Sequence, residues 1–137
     1  KRQLLSSCSA YHARFEKAVA AAAGNFDQPA GPWVGRWVSS HNGHKGPLWC
    51  IVTPTPNQPG FYDFRYRAGW GALKFGDYST TVKPNVSGST WTIRDEMDLP
   101  GGFGIYSITG TVTPREFKAS FKSAKGDHGT MTLTRPD

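Results

Sequence analysis

The sequence predicts an all-β fold: an eight-stranded antiparallel up-and-down barrel with a short N-terminal helix. Three observations carry this expectation. From residue 34 onward, apolar and polar residues alternate in run after run, the period of a half-buried strand. Turn signals such as His41-Asn42-Gly43, Asn57-Gln58-Pro59-Gly60 and Gly126-Asp127-His128-Gly129 separate those runs at regular intervals. No helical period falls between them, which disfavours a parallel sheet with crossover helices. Eight such strands can close on themselves and so remove both exposed edges.

Residues 1–30 differ from residues 31–137, dividing the chain into an N-terminal tether with a helix and a barrel domain. Tyr11, Phe15, Ala18 and Val19 recur at helical spacing, Ala20 to Ala23 favour a helix, and Gly24 is a natural stop. A helix is therefore expected over 9–23, with a linker from Asn25 to Pro32. The first strand follows. Trp33, Gly35 and Trp37 share one face and Val34, Arg36 and Val38 the other, and a glycine between two rings suggests a close backbone approach.

The eight strands are expected near 34–40, 48–54, 61–68, 75–83, 90–98, 104–113, 116–123 and 130–135. Alternation then assigns the inward faces. In the third strand Tyr62, Phe64, Tyr66 and Ala68 oppose Asp63, Arg65 and Arg67. In the fifth, Trp91, Ile93, Asp95 and Met97 oppose Arg94, Glu96 and Asp98. Tyr106, Ile108, Gly110 and Val112 form another inward set, as do Phe117, Ala119 and Phe121, and Met131 and Leu133. The second strand is apolar on both faces, Leu48/Cys50/Val52 and Trp49/Ile51, so its orientation stays open. If Cys50 faces inward, a disulfide with Cys8 is disfavoured and Cys8 is left for other chemistry.

Composition bounds the partners. Aromatic residues are 13% of a chain that is 37% apolar, so rings carry much of the core. The formal charge of +6 favours anionic partners in general. The bases are dispersed, however, and the densest group, Arg115, Lys118, Lys122 and Lys125, reads as a solvated strand face that blunts an edge. Nucleic acid is not an expected partner, because no recognition motif accompanies the charge. No apolar run approaches the roughly 18 residues of a spanning helix.

Two short patterns resemble known families. Gly35-Arg36-Trp37 resembles the G-x-W signature of the calycin superfamily, which holds lipocalins, fatty-acid-binding proteins and avidins. The resemblance implies an eight-stranded barrel in which Trp37 packs at the closed end against an arginine near the end of the last strand, and Arg135 stands in that place. Leu5-Ser6-Ser7-Cys8 resembles the lipobox of bacterial lipoproteins, which implies lipidation at Cys8 and a periplasmic or membrane-anchored location in the cell envelope.

For chemistry, His41, His44 and His128 lie in turns and supply too few convergent ligands for a metal, so none is assigned. Asp95 alone among Asp95, Glu96 and Asp98 shares the interior with the rings, where burial would raise its pKa, but it lacks a positioned partner. No catalytic residue and no cofactor is assigned. The expected ligand-binding residues are Tyr62, Phe64, Tyr66, Tyr78, Trp91, Asp95, Tyr106, Phe117 and Phe121, with Asp95 and the tyrosines orienting a small apolar or amphipathic ligand. The competing reading is a ring-packed interior without a cavity. It describes an accessory subunit tethered through Cys8 to a membrane, or through Tyr11 and Phe15 of the helix to a protein partner.

Overall fold

The computed structural model describes residues 2–70, 73–99 and 104–136, with side chains from residue 10 onward except those of 73–77. The turn signals at Gly71 and at Pro100-Gly101-Gly102 lie outside the described residues. Among the described residues, one helix, α1 (Arg2–Ala22), precedes nine strands. These are β1 (Gly31–Ser39), β2 (Lys45–Pro54), β3 (Tyr62–Trp70), β4 (Leu73–Val82), β5 (Asn85–Ser87), β6 (Thr90–Leu99), β7 (Gly104–Val112), β8 (Glu116–Ser123) and β9 (His128–Thr134).

All nine strands belong to one antiparallel sheet in the order β4-β3-β2-β1-β9-β8-β7-β6-β5. The sheet is a meander whose first and last strands pair, and it curls into a half-barrel around one aromatic core. Two expectations need correction here. The strands number nine because residues 85–87 pair with Thr90–Thr92 across a tight turn. Only Val86 is apolar in that stretch, too little for an alternation signal. Nor is the barrel closed by hydrogen bonds. β4 returns against β6, but the two share no ladder.

Interior positions follow the predicted alternation. Phe64, Tyr66, Trp91, Ile93, Ile108, Val112, Phe117, Phe121, Met131 and Leu133 are all buried in the one cluster. The second strand's ambiguity resolves through a second layer. Leu48, Cys50 and Val52 face the barrel core, while Ile51 and Trp49 face outward and meet Tyr11, Phe15, Ala18 and Val19 of α1. The helix therefore lies on the outer surface of β1–β4, and the Tyr11 hydroxyl donates to the Arg65 carbonyl at 2.9 Å. Tyr11 and Phe15 are buried within their own chain, so that face of the helix is already covered. The Cys50 thiol is buried and free, raised well above its ordinary pKa chiefly by burial. Cys8 falls within α1, and its side chain lies outside the described set.

The closed end is organised by Arg135, though not on the expected tryptophan. Its guanidinium carbon lies 3.7 Å from the centroid of the Trp33 ring and 4.5 Å from that of Phe26. Strand register decides the choice: Val34 pairs with Thr134 and Trp37 with Met131, so the end of β9 can only meet the start of β1. Trp37 instead sits toward the other end, donating its indole N–H to the Gly69 carbonyl at 2.9 Å. Arg135 donates to the carbonyls of Pro114 (2.7 Å), Pro32 (3.0 Å) and Gln28. Burial lowers its pKa to about 10, so it stays a cation at neutral pH.

Two glycines make this seam. Gly31 has φ of 110°, and a Cβ there would lie 3.2 Å from Arg135 Nη1. At Gly35, a Cβ would fall 1.9 Å from the Thr132 carbonyl oxygen, so β9 crosses directly over it. The close approach expected at Gly35 is thus to the last strand. We expect Arg135→Ala to cost about 3 kcal/mol in urea unfolding, from a lost ring stack and several charged hydrogen bonds. Trp37→Phe, which loses one indole bond, should cost about 1 kcal/mol. The reverse ranking would return the stacking role to Trp37.

Candidate functional site: a ring-lined cavity at the open end

The interior splits into two halves. Toward the closed end, Phe117 meets Trp33 edge-on at 5.8 Å and Phe64 edge-on at 6.0 Å, while Tyr62 packs on Trp91 at 4.2 Å. These rings fill the space between the sheet walls, and Trp33, Phe64 and Phe117 are fully buried. Toward the opposite end, where the β1–β2 and β8–β9 turns lie, a cavity of about 430 Å³ opens to solvent. Its walls are Trp37, Tyr66, Tyr78, Tyr106 and Phe121, with Leu48, Met97, Ile108 and Met131 between them and Trp70 at the lip.

Of the nine residues expected to bind ligand, Tyr66, Tyr78, Tyr106 and Phe121 line this cavity. Tyr62, Phe64, Trp91 and Phe117 belong to the filled half. Both lie on inward faces, so alternation could not separate them. Height along the strand does, and that depends on register. Asp95 also faces inward, at the β4–β6 seam. Its Oδ1 accepts from the Glu96 amide at 2.8 Å, and its Oδ2 is buried without a partner. Burial raises its pKa, against a pull downward from the nearby Thr80 hydroxyl, which stands outside hydrogen-bond geometry, and from the Glu96 amide.

The lip carries a polar cluster that sequence reasoning missed. Asp127 sits in the β8–β9 turn, where it read only as a turn residue. Its Oδ1 accepts from Ser39 Oγ and its Oδ2 from Tyr106 Oη, both at 2.6 Å. The Asp127 amide donates to Ser123 Oγ at 3.2 Å. Ser39 Oγ in turn accepts from the amides of His41 and Asn42, which fixes the β1–β2 turn against the β8–β9 turn. Only the small polar residues at inward positions Ser39 and Ser123 hinted at this, because the partners lie in distant turns.

Burial alone would raise Asp127, but the bonds from Ser39 and Tyr106, the His128 amide and the neighbouring His41 hold it below the usual carboxylate range. Burial, then the bond to Asp127 and its charge, push Tyr106 up to about 12. Both groups are engaged with each other: Tyr106 keeps its proton at neutral pH and Asp127 stays ionised. Ser39 is likewise spent on Asp127 and two amides. The arrangement holds two turns together and presents a polar edge to an apolar cavity, and it offers no nucleophile beside a free base. Among the described residues, no group of three or more His, Cys, Asp or Glu side chains converges as metal ligands. His41 and His128 lie 6.0 Å apart, and His44 stacks on Trp70 at 4.6 Å.

Comparison of the chain with family models, with curated proteins and with solved structures returned no match.

The two coupled groups fix a pH dependence. The Asp127 contribution to stability is present above the unfolded carboxylate pKa of about 3.9 and is lost as pH falls through its lower folded value. The Tyr106 contribution is full below the unfolded phenol pKa of about 10 and is lost as pH rises through about 12. In a phenolate absorbance titration, Tyr106→Phe should remove one of the late-ionising phases. Asp127→Asn should move that phase to lower pH, and an unmoved phase would break the assigned pairing.

Proposed function

We propose that this chain is a small calycin-like barrel that binds an apolar or amphipathic small molecule in its open half. The supporting observation is the cavity itself. Its volume of about 430 Å³ falls within the roughly 300–1,000 Å³ of small-molecule sites. Its walls are overwhelmingly apolar, with polar groups confined to the lip and the β4–β6 seam. A flat or chain-like apolar body packed against Tyr66, Tyr78 and Phe121 supplies most of the affinity, and the Tyr106–Asp127 pair meets its outer edge. Two methionines in the wall, Met97 and Met131, adapt to the shape of the occupant. The reading extends to a bacterial envelope protein held through Cys8, supported by Leu5-Ser6-Ser7-Cys8.

The test is binding of N-phenyl-naphthylamine, an uncharged probe that fluoresces on entering an apolar site. We expect saturable micromolar binding, abolished by Met131→Trp, which places a larger ring in the cavity. Probe binding that is absent, or equal in the two proteins, would overturn the reading.

A further inference from the structure

Beside the open half of the interior lies a pair of polar atoms that the fold leaves without partners. Thr80 Oγ1 on β4 and Asp95 Oδ2 on β6 are both buried and unbonded. They face each other across the one place where neighbouring strands of the curled sheet share no ladder. The remaining unpartnered buried atoms among the described residues are Nε and Nη1 of Arg67, on the outer face of β3. Elsewhere around the cavity, Asp127 is paired by Ser39 and Tyr106, and the Trp37 indole by Gly69.

The pair adjoins residues of the cavity wall. Asp95 is directly opposite Ile108 on β7, a wall residue, and the next inward residue along β6 is Met97, another. Thr80 is one inward position beyond Tyr78, which also lines the wall. The charge of Asp95 is felt at Tyr66, whose phenol is raised first by burial and then by Cys50 and Asp95. Among the described residues, the cation that lines the cavity is Lys125, in the β8–β9 turn at the lip. Arg94 is exposed beside Asp95 on β6, and Arg65 and Arg67 alternate outward from Phe64 and Tyr66 on β3.

A carboxylate oxygen removed from water and left unbonded is costly, and a donor carrying positive charge relieves that cost better than a neutral one. Resting on the small-molecule reading above, we propose that the natural occupant of this cavity is an amphipathic amine. Its apolar body lies against Tyr66, Tyr78 and Met97, and its protonated nitrogen donates to Asp95 Oδ2, with Thr80 Oγ1 as a second acceptor. The net charge of +6 opposes this only at long range, where salt screens it beyond about 8 Å.

The experiment titrates the full chain with four naphthalene compounds that differ only in the end of a short side chain: naphthylethylamine, naphthylethanol, ethylnaphthalene and naphthylacetate. We expect the amine to bind about ten- to a hundredfold tighter than ethylnaphthalene, the alcohol to fall between, and the acetate to be weakest. Asp95→Asn should bring the amine down to the ethylnaphthalene level while leaving ethylnaphthalene unchanged, which also shows that the variant is folded. Thr80→Val should lower the amine's advantage by a smaller factor. Equal binding of amine and ethylnaphthalene to the native chain would overturn the proposal and leave the cavity reading standing. So would an amine advantage that survives Asp95→Asn. Failure of all four compounds to bind would remove the cavity reading, and this proposal with it.

Discussion

The structure depends on one guanidinium. Arg135 lies against both Trp33 and Phe26 and spends its N–H groups on carbonyls from the linker, from the start of β1 and from the β7–β8 turn. Among the described residues no carboxylate pairs with it; carbonyl dipoles and ring faces share the work of holding a half-buried cation. The linker with the start of β1, the β7–β8 turn and the end of β9 are thereby fixed together at one end of the sheet. Once Trp33 is held, Phe117 and Phe64 pack edge-on inward from it in turn, and the closed half is filled. The cavity begins where that chain of rings stops.

Much of this was legible in the sequence, and the rest failed for identifiable reasons. Alternation is a local signal, so it placed Phe64, Tyr66, Ile108, Phe117 and Leu133 inside without any knowledge of partners. An arginine stacked on a first-strand tryptophan was also foreseeable, but the choice between Trp33 and Trp37 needed the β1–β9 register. Antiparallel pairing of first and last strands does dictate the earlier ring, an inference available from topology alone. The double apolar face of β2 was a true signal of a second layer, and α1 supplies it. What no local pattern held was the Ser39–Asp127–Tyr106 cluster, which joins two turns 88 residues apart. The boundary between filled and open halves was hidden too, because it is a question of height rather than of face.

The two inward-facing carboxylates show how environment separates identical chemistry. Asp127, at the lip, collects two hydroxyl donors and an amide and is held ionised. Asp95, at the seam, has one amide and a hydroxyl that stands off, and burial dominates it. The first is a finished structural element joining the β1–β2 turn to the β8–β9 turn. The second sits where the sheet itself is unfinished, since β4 and β6 meet through side chains alone. An interior that is complete at one end and unsatisfied at the other is what a receptacle needs: rigidity below, chemistry above.

The ladder between β1 and β9 also governs when this fold can form. Arg135 and the carbonyl of Pro32 are 103 positions apart along the chain, so the contact that organises the core must wait for the last strand of this sheet. Until β9 emerges from the ribosome, Trp33 has no cap and β1 presents an open edge beside β2 alone. Such topology favours slow, late consolidation over stepwise assembly. In the meantime α1, whose contacts on β2 are nearer in sequence, is the natural cover for Trp49 and Ile51, shielding one apolar surface of an intermediate whose other surface must wait.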